Sequence, residues 1–414
     1  MTSIHRAMLA TSLLGCIPAH AGNTESVAEE VGTSSTATGL LLGKLTGETG
    51  WDRTWSAFTL YKDENNPILQ EFALQGRLQL QAGFGDSSSE EYKKAGKGEF
   101  WGADIENRRS QFGFKSKWFQ HWKLDGQIVV DGNYDDEAGN GTLYKDIYDL
   151  YLTYAPSDAF NASVGKREVA FGREYEISSK EILTFERSAL TNTLFPGNLT
   201  GAWVSGKEIS GHWLYELGAY GNDRVRELSS FEEGAIILGK IGYDYSSQAN
   251  FDSAIVTFQY MHNTEPDLVK TTTSSWSGSS TPPYTDTFAL TNDIVHGRWG
   301  FTTDALYGIG DGAQPDVFGV TFIPSYFIAD GLQLVGRLQL ASSSDDGMSV
   351  QGRYESTSGT STDPKGNSYL STYLGLNYYL YGHKLKLLAG LEYSHLGGGD
   401  YDGTTYMTGL RFSF

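Results

Sequence analysis

The residues with the most chemistry to offer in this sequence are basic. Lys166, Arg167, Arg173, Lys180 and Arg187 gather around one long connection, 171–197. A second set, Arg77, Arg109, Lys115, Lys117, Lys123, Arg337, Lys384, Lys386 and Arg411, is spread over segments that alternate apolar and polar residues. Fixed positive charge between low-dielectric walls attracts and steers anions, and it needs no bond making. Glu174, Glu176, Glu181 and Glu186 share the long connection, and Asp125, Asp131, Asp149, Asp304 and Glu392 oppose the second set. A bland alternative therefore stands beside the anion path: the cations simply pair with neighbouring carboxylates.

Other chemistry finds less support. Gly201 to Lys207 fits G-x-x-x-x-G-K, but Glu208 replaces the Ser or Thr that would hold magnesium, and the stretch reads as a strand, so it is a chance match. His121, His212, His262, His296, His383 and His395 are scattered, with no metal-ligand spacing, and no nucleophile, base and acid stand at a spacing that supports catalysis. No metal, cofactor or catalytic residue is expected. The acidic runs Glu90-Glu91, Asp135-Asp136-Glu137, Glu232-Glu233 and Asp345-Asp346 read as solvated loop residues, or as sites for divalent cations that bridge to lipid.

The elements that position these charges have a two-residue period. In the last stretch, GTTYMTGLRFSF, Tyr406, Thr408, Leu410, Phe412 and Phe414 share one face, while Thr405, Met407, Gly409, Arg411 and Ser413 share the other. An aromatic at the free carboxyl terminus suits the closing strand of a membrane barrel, whose outer face meets lipid; Phe412 and Phe414 are assigned to that closure. The alternation begins at Pro67 and recurs to the end. Leu78 and Leu80 alternate with Arg77, Gln79 and Gln81, and Tyr148, Leu150, Leu152 and Tyr154 alternate with Asp149, Tyr151 and Thr153. About sixteen strands can be counted, those near 198–208 and 285–296 with the poorest alternation. Tight turns at Phe119-Gln120, 155–158, 329–331 and 381–383 alternate with long connections at 85–103, 171–197, 262–284 and 342–366, the pattern of short periplasmic turns and long outer loops. The expected fold is all-β, a transmembrane antiparallel β-barrel over 67–414; a soluble sandwich or propeller would not need an apolar face on nearly every strand.

Composition agrees. The chain has 414 residues, 39% hydrophobic and 13% aromatic, with mean hydropathy −0.35. No run approaches the ~20 apolar residues of a spanning helix. Residues 1–21 read as a secretory signal, with Arg6, an apolar core and Ala19-His20-Ala21 as cleavage site; Leu13-Leu14-Gly15-Cys16 is a weaker lipoprotein-box reading. Cys16 is the only cysteine and would leave with the signal. Residues 22–66 are expected to form a periplasmic segment, with Trp51 to Tyr61 at the barrel mouth or inside it. The formal charge of −19 becomes −20 once Arg6 is removed, which argues against nucleic acid as a partner.

Three stretches carry a resemblance: Arg108-Arg109-Ser110-Gln111-Phe112-Gly113-Phe114-Lys115; Asp146-Ile147-Tyr148-Asp149-Leu150-Tyr151; and Val164-Gly165-Lys166 through Leu183-Thr184-Phe185-Glu186-Arg187-Ser188 to Phe195-Pro196-Gly197. In these the chain resembles the phosphate-selective porin O and P family from about residue 66 to the end, most specifically over 164–197. The resemblance implies a homotrimer of sixteen-stranded barrels in the bacterial outer membrane, surrounded by its lipid, with an inward third long loop and basic residues guiding anions. The acidic balance departs from that picture. Strand parity near Gly165 leaves open whether Lys166 or Arg167 faces the lumen.

The function expected is a porin, a passive diffusion channel for small hydrophilic solutes with anion or phosphate preference. Two alternatives are a structural or adhesive barrel plugged by Trp51 to Tyr61, and a lipid hydrolase, which would need an outward-facing Ser–His pair that the sequence does not reveal. Deleting Phe414 is expected to impair barrel assembly; undiminished surface levels of the truncated protein would count against the closing-strand reading.

Overall fold

The computed structural model describes residues 50–87, 100–130, 144–222, 227–232, 234–266, 284–311, 314–350, 365–399 and 401–414. The signal segment, residues 22–49, Asp131 and the acidic runs at 90–91 and 135–137 lie outside them, as does Glu233.

Sixteen strands close into one antiparallel barrel: β1 (Leu69–Ser87), β2 (Phe100–Trp118), β3 (Trp122–Val130), β4 (Tyr144–Ser157), β5 (Phe160–Glu168), β6 (Asn198–Ile209), β7 (Trp213–Gly221), β8 (Ala235–Asp244), β9 (Ser253–Asn263), β10 (Tyr284–His296), β11 (Trp299–Gly310), β12 (Val317–Ala329), β13 (Leu332–Ser343), β14 (Ser368–Tyr381), β15 (Leu385–Gly397) and β16 (Tyr401–Ser413). Each pairs with its neighbours in sequence, and β16 pairs with β1 from Gly403↔Ser87 to Ser413↔Arg77, so no edge remains. The two poorly alternating stretches are full strands, β6 and β10, because ladder pairing on both sides does not depend on a clean hydrophobic period.

Facing follows the pleat. Leu78, Leu80, Phe112, Leu374 and Tyr406 are exposed on the outside, whereas Gln75, Arg77, Gln79 and Gln81 are buried inside. Two bulges break this parity. Gln79 pairs with Arg109 but Leu80 with Asn107, leaving Arg108 as an extra residue. Gln127 pairs with Asp149 but Ile128 with Ile147, leaving Tyr148 extra. An inserted residue re-aims its side chain. Tyr148, which period two assigns to the lipid face, thus reaches inward to Glu168 at 2.5 Å.

The seam between β16 and β1 has an additional cover. β16 ends at Phe414, whose backbone exchanges both hydrogen bonds with Gly76, at 2.9 and 3.0 Å. Below that point the edge of β1 would be open, and a short strand, Thr59–Lys62, pairs there with Glu71 to Ala73. The helix before it, Gly50–Ser56, sets Trp55 against Tyr381 and Phe412; the Trp55 indole donates to the Ser413 carbonyl at 2.7 Å, and Phe58 stacks on Phe414 with ring centroids 4.1 Å apart. Trp51 to Tyr61 therefore dresses the closing seam at the rim of short turns and does not plug the lumen. Trp55→Ala removes a buried indole and its hydrogen bond, and should cost about 3 kcal/mol of barrel stability. The urea midpoint of the refolded barrel measures it, and an unchanged midpoint would refute the seam's role.

Candidate functional site

The connection between β5 and β6, 169–197, folds into the barrel, and all of it but Asn192 is buried or half-buried. An irregular segment in a lumen must find partners for its own polar backbone, and the wall supplies them. At its start, the Gln259 side-chain oxygen accepts from the Gly172 N–H (3.0 Å) and Asp304 from that of Glu174 (3.1 Å). Gly172 sits at φ 78°, a conformation that favours glycine, directly over the Asp304 carboxylate. Further on, Gln339 accepts from the Ala189 N–H at 2.8 Å.

The loop carbonyls are held by cations. Arg411 donates to those of Ser179, Ile182, Thr184 and Phe185, Lys386 to that of Ile182 at 2.9 Å, and Arg337 to that of Glu186 while pairing with Glu392 at 2.7 Å. Arg108 binds the Glu186 carboxylate with two nitrogens. Apolar residues complete the seat: Phe171, Leu190 and Leu194 belong to one cluster with Leu306, Val317, Tyr369 and Tyr401.

Within the loop, Glu174 accepts from the Ser188 N–H (3.1 and 3.0 Å) and the Thr191 hydroxyl (2.9 Å). Arg187 donates to the carbonyls of Glu174 and Ile177 and lies 4.0 Å over the Tyr175 ring. Burial disfavours the charge on Arg187, but Glu168 and the Tyr175 and Tyr148 hydroxyls outweigh it and hold the guanidinium above its ordinary range. Arg173 behaves alike: burial opposes its charge, and Asp293 at 2.7 Å with Glu176 at 3.3 Å more than restores it.

The loop thus occupies the side of the lumen near β10–β16, and open space remains toward β1–β9. A cavity of about 330 Å³ there is lined by Arg77, Lys115, Lys117, Lys123, Arg167 and Lys240, with Asp125, Asp149, Glu168, Glu176 and Glu216 among them. A second cavity, about 610 Å³, runs on toward the short turns and shares Lys117, Lys123, Glu176, Glu216 and Lys240 with the first.

The basic residues singled out in the sequence therefore divide. Arg77, Lys115, Lys117, Lys123 and Arg167 line open space. Arg337, Lys386 and Arg411, expected along an anion path, lie instead beneath the loop and are engaged with its carbonyls, because an inward loop has more acceptors than its own N–H groups can serve. Arg109 donates to Gln79 at 2.8 Å and pairs with Glu186. Arg187 is enclosed in the loop, Arg173 touches only the second cavity, and half-buried Lys180 lines neither. Lys384 sits in the β14–β15 turn over the Tyr381 ring at 5.5 Å, away from both cavities. At the open parity question, Arg167 is the lumenal residue; Lys166 is 3% exposed, pairs with Asp146 at 3.0 Å and lines neither cavity.

Residues the basic motifs do not announce complete the wall. Arg167 stacks on Trp203 at 4.2 Å and binds Glu216; Lys240 lies 3.7 Å from Glu216 and 2.9 Å from Glu176, which meets Arg173 and through it Asp293. This unbroken alternation of charge ties the loop to β5, β7, β8 and β10. The inward parity of β7 and β8 is the sequence signal for Glu216 and Lys240. Nothing local marks Arg108 and Tyr148, whose direction comes from bulges. Glu174→Ala would leave Arg337 short of a carboxylate and free the Ser188 N–H, and should loosen the loop. Larger, noisier single-channel currents are expected; currents identical to wild type would show that Glu174 does not hold the constriction.

Sequence comparison shows the family, and structure comparison the fold. The family described as phosphate-selective porin O and P matches residues 72–401. No curated protein matches the sequence. Among solved structures, the anion-selective porin from Comamonas acidovorans superimposes with TM-score 0.54 at 12% identity, covering 83% of this chain and 99% of that one. The outer membrane channel DcaP of Acinetobacter baumannii gives 0.53 at 15% identity over 86% and 100%. Pseudomonas putida OprB gives 0.56 at 12% identity over 89% and 98%. At such identities these likenesses speak for the fold alone. The family match spans most of a closed sixteen-stranded barrel with an inward loop, and the chain belongs to the phosphate-selective porin O and P family, whose place is the bacterial outer membrane.

Proposed function

We propose that this outer-membrane diffusion channel prefers small hydrophilic anions, phosphate among them, and that solutes pass between the inward loop and the β1–β9 wall. One observation carries the preference. Lys117 and Lys123 stand directly opposite each other across the β2–β3 ladder, with Lys115 two residues further up and Arg77 on the adjoining strand, all on the cavity wall. Like charges directly opposite are unfavourable; the exposed Lys117–Glu64 pair at 3.2 Å, with Asp125 opposite Lys115, offsets part of that. A passing anion relieves the repulsion. Three of the seven acids lining the same cavity are engaged elsewhere: Glu216 lies between Arg167 and Lys240, Glu176 between Arg173 and Lys240, and Glu168 receives the Tyr148 hydroxyl; Glu64, Glu71, Asp125 and Asp149 complete the lining.

Transport in this reading needs only a field and a path. The protein assembles as a homotrimer, as the family resemblance implies; the mass of the detergent-solubilised protein tests that directly. In a planar bilayer under a salt gradient, wild type should give a reversal potential of anion sign, with chloride current reduced by added phosphate. Lys117→Glu combined with Lys123→Glu should move the reversal potential toward the cation side without abolishing conductance. A reversal potential of cation sign in wild type, or no change in the double variant, would overturn the preference while leaving the porin.

A further inference from the structure

Two clusters of identical design stand on the outward face at the outer rim, and the pore uses neither. In one, Tyr260 donates to Asp286 at 2.6 Å and His262 Nδ1 lies 2.9 Å from the same oxygen. In the other, Tyr393 donates to Asp402 at 2.6 Å and His395 Nδ1 lies 2.9 Å from it. In both, the histidine and the aspartate are direct cross-strand partners, His262↔Asp286 and His395↔Asp402. A carboxylate beside Nδ1 fixes the tautomer that carries its proton there and leaves the Nε2 lone pair turned outward, the arrangement of a general base.

The two clusters differ in what faces that lone pair. Next to His395 the ladder places Leu370, and two pairs further on, on the same face, Ser368 opposite Gly397. Gly397 has no side chain, and both Ser368 Oγ and His395 Nε2 lie within 4 Å of where its Cβ would stand. Next to His262 the ladder places Ile237, and two pairs further on Ala235 opposite Thr264. There the serine's place is taken by alanine, and the glycine's by a threonine whose hydroxyl accepts from the Ala235 N–H. Ser368 is exposed, and its hydroxyl has no partner among the described residues. His395 and Asp402 have side chains 46% and 48% exposed. On the same outward face, toward the membrane, lie Leu391, Leu374 and Tyr406, all exposed. The cluster therefore sits where hydrocarbon gives way to headgroups, the depth of a lipid's acyl ester bonds.

We propose that Ser368, His395 and Asp402 form a second, catalytic site that hydrolyses lipid acyl esters at the outer rim. Ser368 Oγ attacks the ester carbonyl and its proton passes to His395 Nε2. The ester C–O bond breaks, the leaving alcohol takes that proton, and the acyl group stays on Ser368. Water then attacks the acyl-serine, giving its proton to His395, which returns it to Oγ as the fatty acid departs. Asp402 holds the imidazole in the working tautomer and stabilises the imidazolium, and Tyr393 fixes Asp402. Ser368 Oγ and His395 Nε2 flank the empty side-chain position of Gly397, and the catalytic contact requires the Ser368 hydroxyl to turn toward Nε2.

The test uses the purified full-length protein in detergent. With 4-nitrophenyl octanoate as probe, wild type should turn over about 10²-fold faster than Ser368→Ala or His395→Asn, the lower range for general-base assistance. Asp402→Asn should lower the rate and Ser368→Thr retain part of it, while His262→Asn, at the cluster without a serine, should leave it unchanged. A fluorophosphonate should label Ser368 and no other serine. All four positions are solvent-accessible rim residues, and heat-resistant migration of each variant confirms folding. Fatty acid released from phosphatidylcholine vesicles by wild type but not by His395→Asn supports the lipid substrate. Aryl ester turnover without it overturns the lipid assignment. Equal rates in wild type and Ser368→Ala, or equal loss in His262→Asn, overturn the site.

Discussion

Every other feature depends on one constraint: inside a bilayer a backbone N–H or C=O has no water to turn to. A sheet satisfies that requirement only by closing on itself. Closure here falls on β16 and β1, where the last residue, Phe414, still exchanges two hydrogen bonds with Gly76. The strand Thr59–Lys62 extends the pairing past the chain's end, and the aromatic contacts of Trp55 and Phe58 secure it. The seam is thus built from both ends of the described chain.

The same constraint, moved inside the barrel, explains the fate of the cations. A loop of this length in a lumen presents many carbonyls, and Arg337, Lys386 and Arg411 serve them. A guanidinium suits such work because its fork of donors can reach several acceptors at once. Charges that look alike in sequence therefore split by what faces them across the lumen. Cations beneath the loop become structural, and those on the β1–β5 wall stay beside open space. The alternating chain from Arg167 through Glu216, Lys240, Glu176 and Arg173 to Asp293 joins the two regions, holding the loop to the wall while bordering the path of solutes.

The outer face follows a different rule. Between the girdles it need only be apolar, and Leu, Phe and Val at alternate positions suffice. At the rim, polar groups return to water and pair across the ladder, as Tyr393, His395 and Asp402 do. Residues far apart in the chain meet there through register alone, so chemistry can collect at a rim without any motif in the sequence.

Alternation, turn chemistry and the final aromatic strand were enough to specify a sixteen-stranded membrane barrel, which strands exist, and which face of most of them meets lipid. The pleat makes facing a local property, readable two residues at a time. What the sequence alone left undecided is non-local. Arg108 and Tyr148 turn inward only because their strands carry one residue more than their partners. Whether Arg167 or Lys166 faces the lumen rests on register with β4 and β6 around Gly165. Which lysines and arginines border open space rests on where the loop lies, and the meeting of Ser368 with His395 on the pairing of β14 with β15. Each of these is settled by hydrogen-bond partners remote in sequence, and no local period encodes them.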